Sequence, residues 1–98
     1  MENILRLNAR IKAADTLRYT PAGTPVLDLL LEHESWQQDA GERYLARFEI
    51  QAKLIGAEAA VWQSRTGCSI AVSGFLSAYS QKYRRPILHI QTIHEYKG

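Results

Sequence analysis

The residues able to do chemistry in this chain fall into two groups. The first is the acid–imidazole stretch "EHES", Glu32 to Ser35, with His89, His94 and the single cysteine Cys68 elsewhere in the chain. Acid–base or nucleophilic catalysis would need supporting motifs around these groups. The chain has no nucleophile elbow, no glycine-rich phosphate loop and no metal-spaced ligand pair. His89 and His94 are five apart on one predicted strand, so alternation points them to opposite faces, a poor geometry for sharing a metal. His33 falls on the aliphatic side of its segment, where a packed or capping role is expected. Cys68 reads as a small buried residue at a strand start. No catalytic residue, metal or cofactor is expected.

The second group mixes cations with rings: Arg18 beside Tyr19, Arg43 and Arg47 four apart, and the run "YSQKYRR" with Tyr79, Lys82, Tyr83, Arg84 and Arg85. Cations neutralise phosphates, while rings and guanidinium planes stack on bases, so this mixture suits a nucleic-acid strand. The formal net charge of +2 permits such a surface without announcing it. Where the charges lie therefore matters more than their sum.

Period-two alternation dominates the elements that must position these groups. Residues 4–13 put Leu5, Leu7, Ala9 and Ile11 inward and Arg6, Asn8, Arg10 and Lys12 outward. After the turn residues Pro21, Gly23 and Pro25, residues 26–34 put Leu27, Leu29 and Leu31 on one face and Asp28, Leu30, Glu32 and Glu34 on the other. "WQQDAGE" (36–42) reads as a hairpin tip, with Gly41 able to take a positive φ. Residues 43–53 alternate again, with Tyr44, Ala46, Phe48 and Ile50 on one face, Tyr44 and Phe48 being assigned to the barrel interior, and Arg43, Arg47, Glu49, Gln51 and Lys53 on the other, where Leu45 is the lone apolar residue. Residues 56–67 break the period: Glu58 early, Arg65 late and Gly67 at the end predict a helix of about ten residues. On it, Trp62 joins Ala59 and Ile55 in the core. Strands over 68–77, with Gly74 a bulge or corner, and 86–96 complete the chain around a basic connection at 78–85.

At 98 residues the chain is one domain, 1–98, with no apolar run near the ~20 residues needed to span a bilayer. Met1, Glu2 and Asn3 do not begin a signal-peptide pattern, and one cysteine excludes an internal disulfide, so a reducing cytoplasm is expected. A helix between the third and fourth of five strands is the layout of an OB-fold, an all-β Greek-key barrel. An SH3-like barrel and a flat sheet with one packed helix are the alternatives.

The segments "TPAGTPVLDLLLEHES", "VSGFL" and "LHIQTIHEY" resemble the PriB family of primosomal replication proteins, relatives of bacterial single-stranded-DNA-binding protein. The resemblance covers nearly the whole chain. It implies a homodimeric OB-fold that binds single-stranded DNA in the bacterial cytoplasm and nucleoid. It also implies help in restarting stalled forks, between the PriA helicase and DnaT, without catalysis. An OB-fold binds strands through its second and third strands and the flanking loops. On this chain that places Arg18, Arg43, Arg47, Lys82, Tyr83, Arg84 and Arg85 at the DNA. The family tends to have a stacking aromatic where this chain has Arg47, and a more lysine-rich last loop. Glu32 and Glu34 repel phosphate, so they and Trp36 are assigned to a protein partner, although Trp36 could also stack a base or cover the barrel rim. Ile4, Arg6 and Asn8, within residues 3–10, are assigned to the dimer axis. The competing function is an OB-fold adaptor with little DNA binding. A nuclease built on Asp28, Glu49 and Arg47 lacks an acid cluster at a loop base.

Overall fold

Alternating apolar residues and two long strands give the chain its shape. A computed structural model describes residues 1–82 and 84–97; the expectation for Tyr83 lies outside the described residues. The strands are β1 (Leu5–Ala14), β2 (Arg18–Tyr19), β3 (Pro25–Asp39), β4 (Glu42–Ile55), β5 (Ser69–Ala78) and β6 (Pro86–Glu95), with helix α1 (Ala59–Trp62) between β4 and β5. They hydrogen-bond in the order β1-β5-β6-β4-β3-β2, and a further β1–β3 pairing closes the barrel. Apart from the two-residue β2, this is the expected five-stranded OB layout.

The core is the inward face of each strand. Ile11, Leu27, Leu31, Ile70 and Leu88 are fully buried, with Leu29, Val72, Leu54 and Trp62 beside them. At about 25 cal/mol per Å² of apolar surface, each large aliphatic contributes roughly 1.5–3 kcal/mol on burial. At Gly74 an added Cβ would collide with the backbone carbonyl of His89. The β5–β6 register also shifts there, with Ser73 opposite Thr92 and Gly74 opposite Ile90. Gln91 is thus the extra residue of a bulge.

That bulge corrects one expectation. His94 lies opposite Ala71 and His89 opposite Phe75, two positions of equal parity on β5, so both histidines point outward on the same face. The predicted helix also shrinks to a single turn, with Glu58 as its N-cap and Arg65 beyond its end. Only Ala59 and Trp62 of its expected apolar side are buried, while Ile55 is 53% exposed. Cys68 is half-buried and precedes β5 rather than starting it.

Candidate nucleic-acid interface

β3 and β4 pair without interruption from Val26–Ile55 to Asp39–Glu42. At about 3.3 Å per residue, strands of 15 and 14 residues make a ribbon of roughly 50 Å. That length matches the longest molecular dimension, 50 Å. The turn is only Ala40–Gly41, with φ of 52° and 83°, the two positive values of a type I′ hairpin. The expected tip at 36–42 is therefore mostly strand, and Trp36 sits opposite Leu45 in the ladder.

The ribbon outgrows the barrel. β1 pairs with β3 only from Arg10–Glu32 onward, and β6 pairs with β4 only at Ala52–Leu54. Tyr44 and Phe48, expected inside, are consequently 58% and 42% exposed. Alternation puts them on the inward face, but no strand arrives to cover that part of it.

The register places Gln38, Trp36, Glu34, Glu32, Leu30 and Asp28 beside Arg43, Leu45, Arg47, Glu49, Gln51 and Lys53. These side chains share the ribbon's outward face. Every acid on it meets a cation of the same chain. Glu32 pairs with Arg10 and Glu49 with Lys12. Glu34 pairs with Arg47 at 3.2 Å and Asp28 with Arg18 at 2.7 Å. The hydrogen bond to Glu49 holds the Lys12 ammonium above its usual range, and Asp28 does the same for Arg18. Exposed pairs of this kind contribute about 0–1 kcal/mol each. Their main effect is to cancel the negative charge of β3. Glu32 and Glu34, expected to face a protein partner, are thus each paired to an arginine of the same chain.

Further cations lie at the two ends of this face. At the tip, the Arg43 guanidinium sits 4.2 Å from the centre of the Trp36 ring, and Trp36 is 59% exposed. Trp36 therefore does not cover the barrel rim. At the barrel end, the Lys53 ammonium is 5.6 Å from the Tyr79 ring, where the β5–β6 loop begins. Lys82, Arg84 and Arg85 follow in that loop and are exposed, the Arg84 Nε donating to the Gln81 carbonyl at 3.2 Å. Tyr79 joins Asp28 and Gln51 in lining a groove of about 340 Å³, so the loop leans over the β3–β4 face. Arg43, Arg47 and Trp36 thus share one surface, with Arg18 at its edge and Arg85 beside Leu30 and Gln51, while Arg84 lines a separate groove with Ala78, Ser80 and Gln81. Sequence reasoning missed the Lys53–Tyr79 contact as part of it. The signal was present, because alternation already put Lys53 on the face of Arg43 and Arg47.

Other expected residues lie apart. Arg6 and Asn8 are on β1 beside Ser73 and Ala71 of β5, and exposed Ile4 precedes the strand. The opposite edge of β1, from Leu5 to Ala9, pairs with no strand among the described residues. His33 is packed as expected: its Nδ1 donates to the Asn8 carbonyl at 2.6 Å, and its Nε2 accepts from Ser35 at 2.7 Å. Its ring also lies 5.1 Å from that of Phe48. Among the described residues no group of three or more His, Cys, Asp or Glu is placed to hold a metal. Among the described residues no helix is long and apolar enough to cross a membrane.

Residues 3–92 match the model of a family described as another single-strand binding protein family. The chain is 48% identical to the replication restart protein PriB of Neisseria gonorrhoeae over 98% of its length and 96% of that protein's. Its fold is similar to the crystal structure of PriB from Ralstonia solanacearum, with a TM-score of 0.85 and 29% identity over 98% of this chain and 99% of that one. It is also similar to a deletion mutant of the single-stranded DNA binding protein from Thermus aquaticus, with a TM-score of 0.79 and 25% identity over 99% of this chain and 51% of that one.

Proposed function

Because the chain belongs to the single-strand binding protein family, and within it to the PriB replication restart proteins, we propose that it binds a short stretch of single-stranded DNA on the outward face of the β3–β4 ribbon. The observation that carries this reading is the exposed Trp36 ring beside Arg43 at one end, with Lys53, Tyr79, Lys82, Arg84 and Arg85 at the other. Bases stack on the ring and guanidinium while the loop cations hold phosphates. Trp36 thus moves from a protein contact to the DNA. The ion-paired middle offers little charge, so the strand is held at two ends rather than along a continuous track.

The chain acts in replication restart as a non-catalytic factor at forks, in the cytoplasm and nucleoid. It holds the PriA helicase on DNA, stimulates unwinding and helps recruit DnaT. It works as a homodimer through the unpaired β1 edge near Ile4, Arg6 and Asn8, because pairing equivalent strands would satisfy that edge. The adaptor reading is less well supported, since the acids that favoured it are neutralised within the chain.

Titration of a labelled oligothymidylate at several salt concentrations tests the DNA assignment. Affinity should fall on a log–log plot with a slope of about −0.7 per phosphate contact. Arg84→Ala with Arg85→Ala should flatten that slope by about 1.4. An unchanged slope would remove the loop from the site.

A further inference from the structure

One long strand edge serves neither the barrel nor the DNA face. β4 is paired to β3 along its whole length, but on its other side β6 covers only Ala52–Leu54. Residues 43–51 therefore present an open edge of backbone donors and acceptors among the described residues. This stretch has no proline and no register shift, two of the usual devices that blunt an edge. The lane that β6 would fill is interrupted for a local reason: β6 begins at Pro86, and Arg84 and Arg85 are not strand. At that point a groove of about 340 Å³ opens, lined by Leu30 of β3, by Phe48, Glu49, Ile50 and Gln51 of β4, and by Arg85 and Pro86.

We propose that this edge docks an extended segment of a protein partner, which joins the sheet as a further strand beside β4. The side chains flanking the edge specify the chemistry of that segment. On the inward face it would meet Tyr44 and Phe48, 58% and 42% exposed, and half-buried Ile50. On the outward face it would meet Arg43, stacked on Trp36, and Arg47, whose charge Glu34 offsets at 3.2 Å, with Arg85 at the mouth of the lane. Glu49 is the single acid on that side of the stretch and is already paired to Lys12. An added strand has period two, so the fitting segment alternates apolar and acidic residues over about nine positions. The exposed aromatics supply burial, and the backbone edge supplies main-chain hydrogen bonds. This edge lies on the opposite side of the ribbon from β1, so docking and the proposed dimer do not compete for it.

The probe is a fluorescein-labelled nine-residue peptide alternating Leu and Glu, followed by anisotropy. Saturable binding is expected, together with slowed amide exchange at residues 43–50. A peptide alternating Leu and Lys should not bind. Tyr44→Thr with Phe48→Thr should weaken the Leu–Glu peptide by about tenfold. The same double variant should leave oligothymidylate affinity unchanged, since neither ring lies on the DNA face; retained DNA binding also shows that the variant is folded. Absence of peptide binding, equal binding of the Leu–Lys peptide, or full peptide affinity in the double variant would overturn the proposal. A fall in molecular mass of the double variant by light scattering would also overturn it, by assigning the edge to a second copy of the chain.

Discussion

In the barrel half of the β3–β4 ribbon, Leu27, Leu29, Leu31, Ala52 and Leu54 are at most 3% exposed. On the same face of the protruding half, Tyr44 and Phe48 are 58% and 42% exposed. The alternation is the same in both halves, and so is the pairing. What differs is the neighbour: β1 and β6 reach only the barrel half. Period two therefore decides which side chains share a face, and a third strand decides whether that face is dry. Evidence for burial in the ribbon comes from closure of the barrel, not from the ribbon's own sequence pattern.

The largest effect should separate the halves by stability. Leu31→Ala removes a fully buried side chain from the barrel half and should cost about 2–5 kcal/mol in urea unfolding. Tyr44→Ala, on the same face but uncovered, should stay within about 0.5 kcal/mol of the parent. Similar costs for the two would mean that the protruding half is buried in solution, most simply by another molecule. Next in size is Ala40→Asn at the tip, where φ is 52°. A left-handed alanine is strained by about 1–2 kcal/mol, and asparagine tolerates that region better, so the hairpin should gain a fraction of this. A lower melting temperature for Ala40→Asn would show that the turn is not held as described.

The comparison explains what could be read from the sequence. The inward sets Leu27–Leu29–Leu31 and Ala9–Ile11 were legible because each strand lies in the closed barrel, where local alternation and tertiary closure agree. Tyr44 and Phe48 carried the same pattern but not the same outcome, since nothing local records where β1 and β6 stop. The four ion pairs needed the register: Glu34 and Arg47 are 13 apart in sequence and meet only because Glu34 faces Arg47 across the ladder. His89 and His94 were misread because one inserted residue, Gln91, shifts the parity of β6. The helix was overextended because Glu58, Arg65 and Gly67 bracket a turn and its flanks as readily as a full helix.

A smaller effect probes the barrel's outer wall. Burial, aided by the Lys53 charge, pushes the His89 imidazole below its ordinary 6.5, and its ring stacks on Phe75 at 4.7 Å. The unfolded chain thus takes up this proton at a higher pH than the folded one. Stability should be unaffected by His89 above about pH 7 and should fall as pH drops through 6.5 toward the lower folded value. His89→Gln should make that decline shallower; an identical pH profile would show that His89 titrates alike in both states.

The DNA assignment to the ribbon's outward face is tested most directly by tryptophan fluorescence during oligothymidylate titration. The chain has two tryptophans, Trp36 at 59% exposure and Trp62 at 6%. Stacked bases should quench Trp36 and leave Trp62 unchanged, so Trp36→Phe should abolish most of the quenching and weaken binding by roughly 1–3 kcal/mol at most. Full quenching in Trp36→Phe, or binding seen by anisotropy with no quenching in the parent, would place the strand on another face of the barrel.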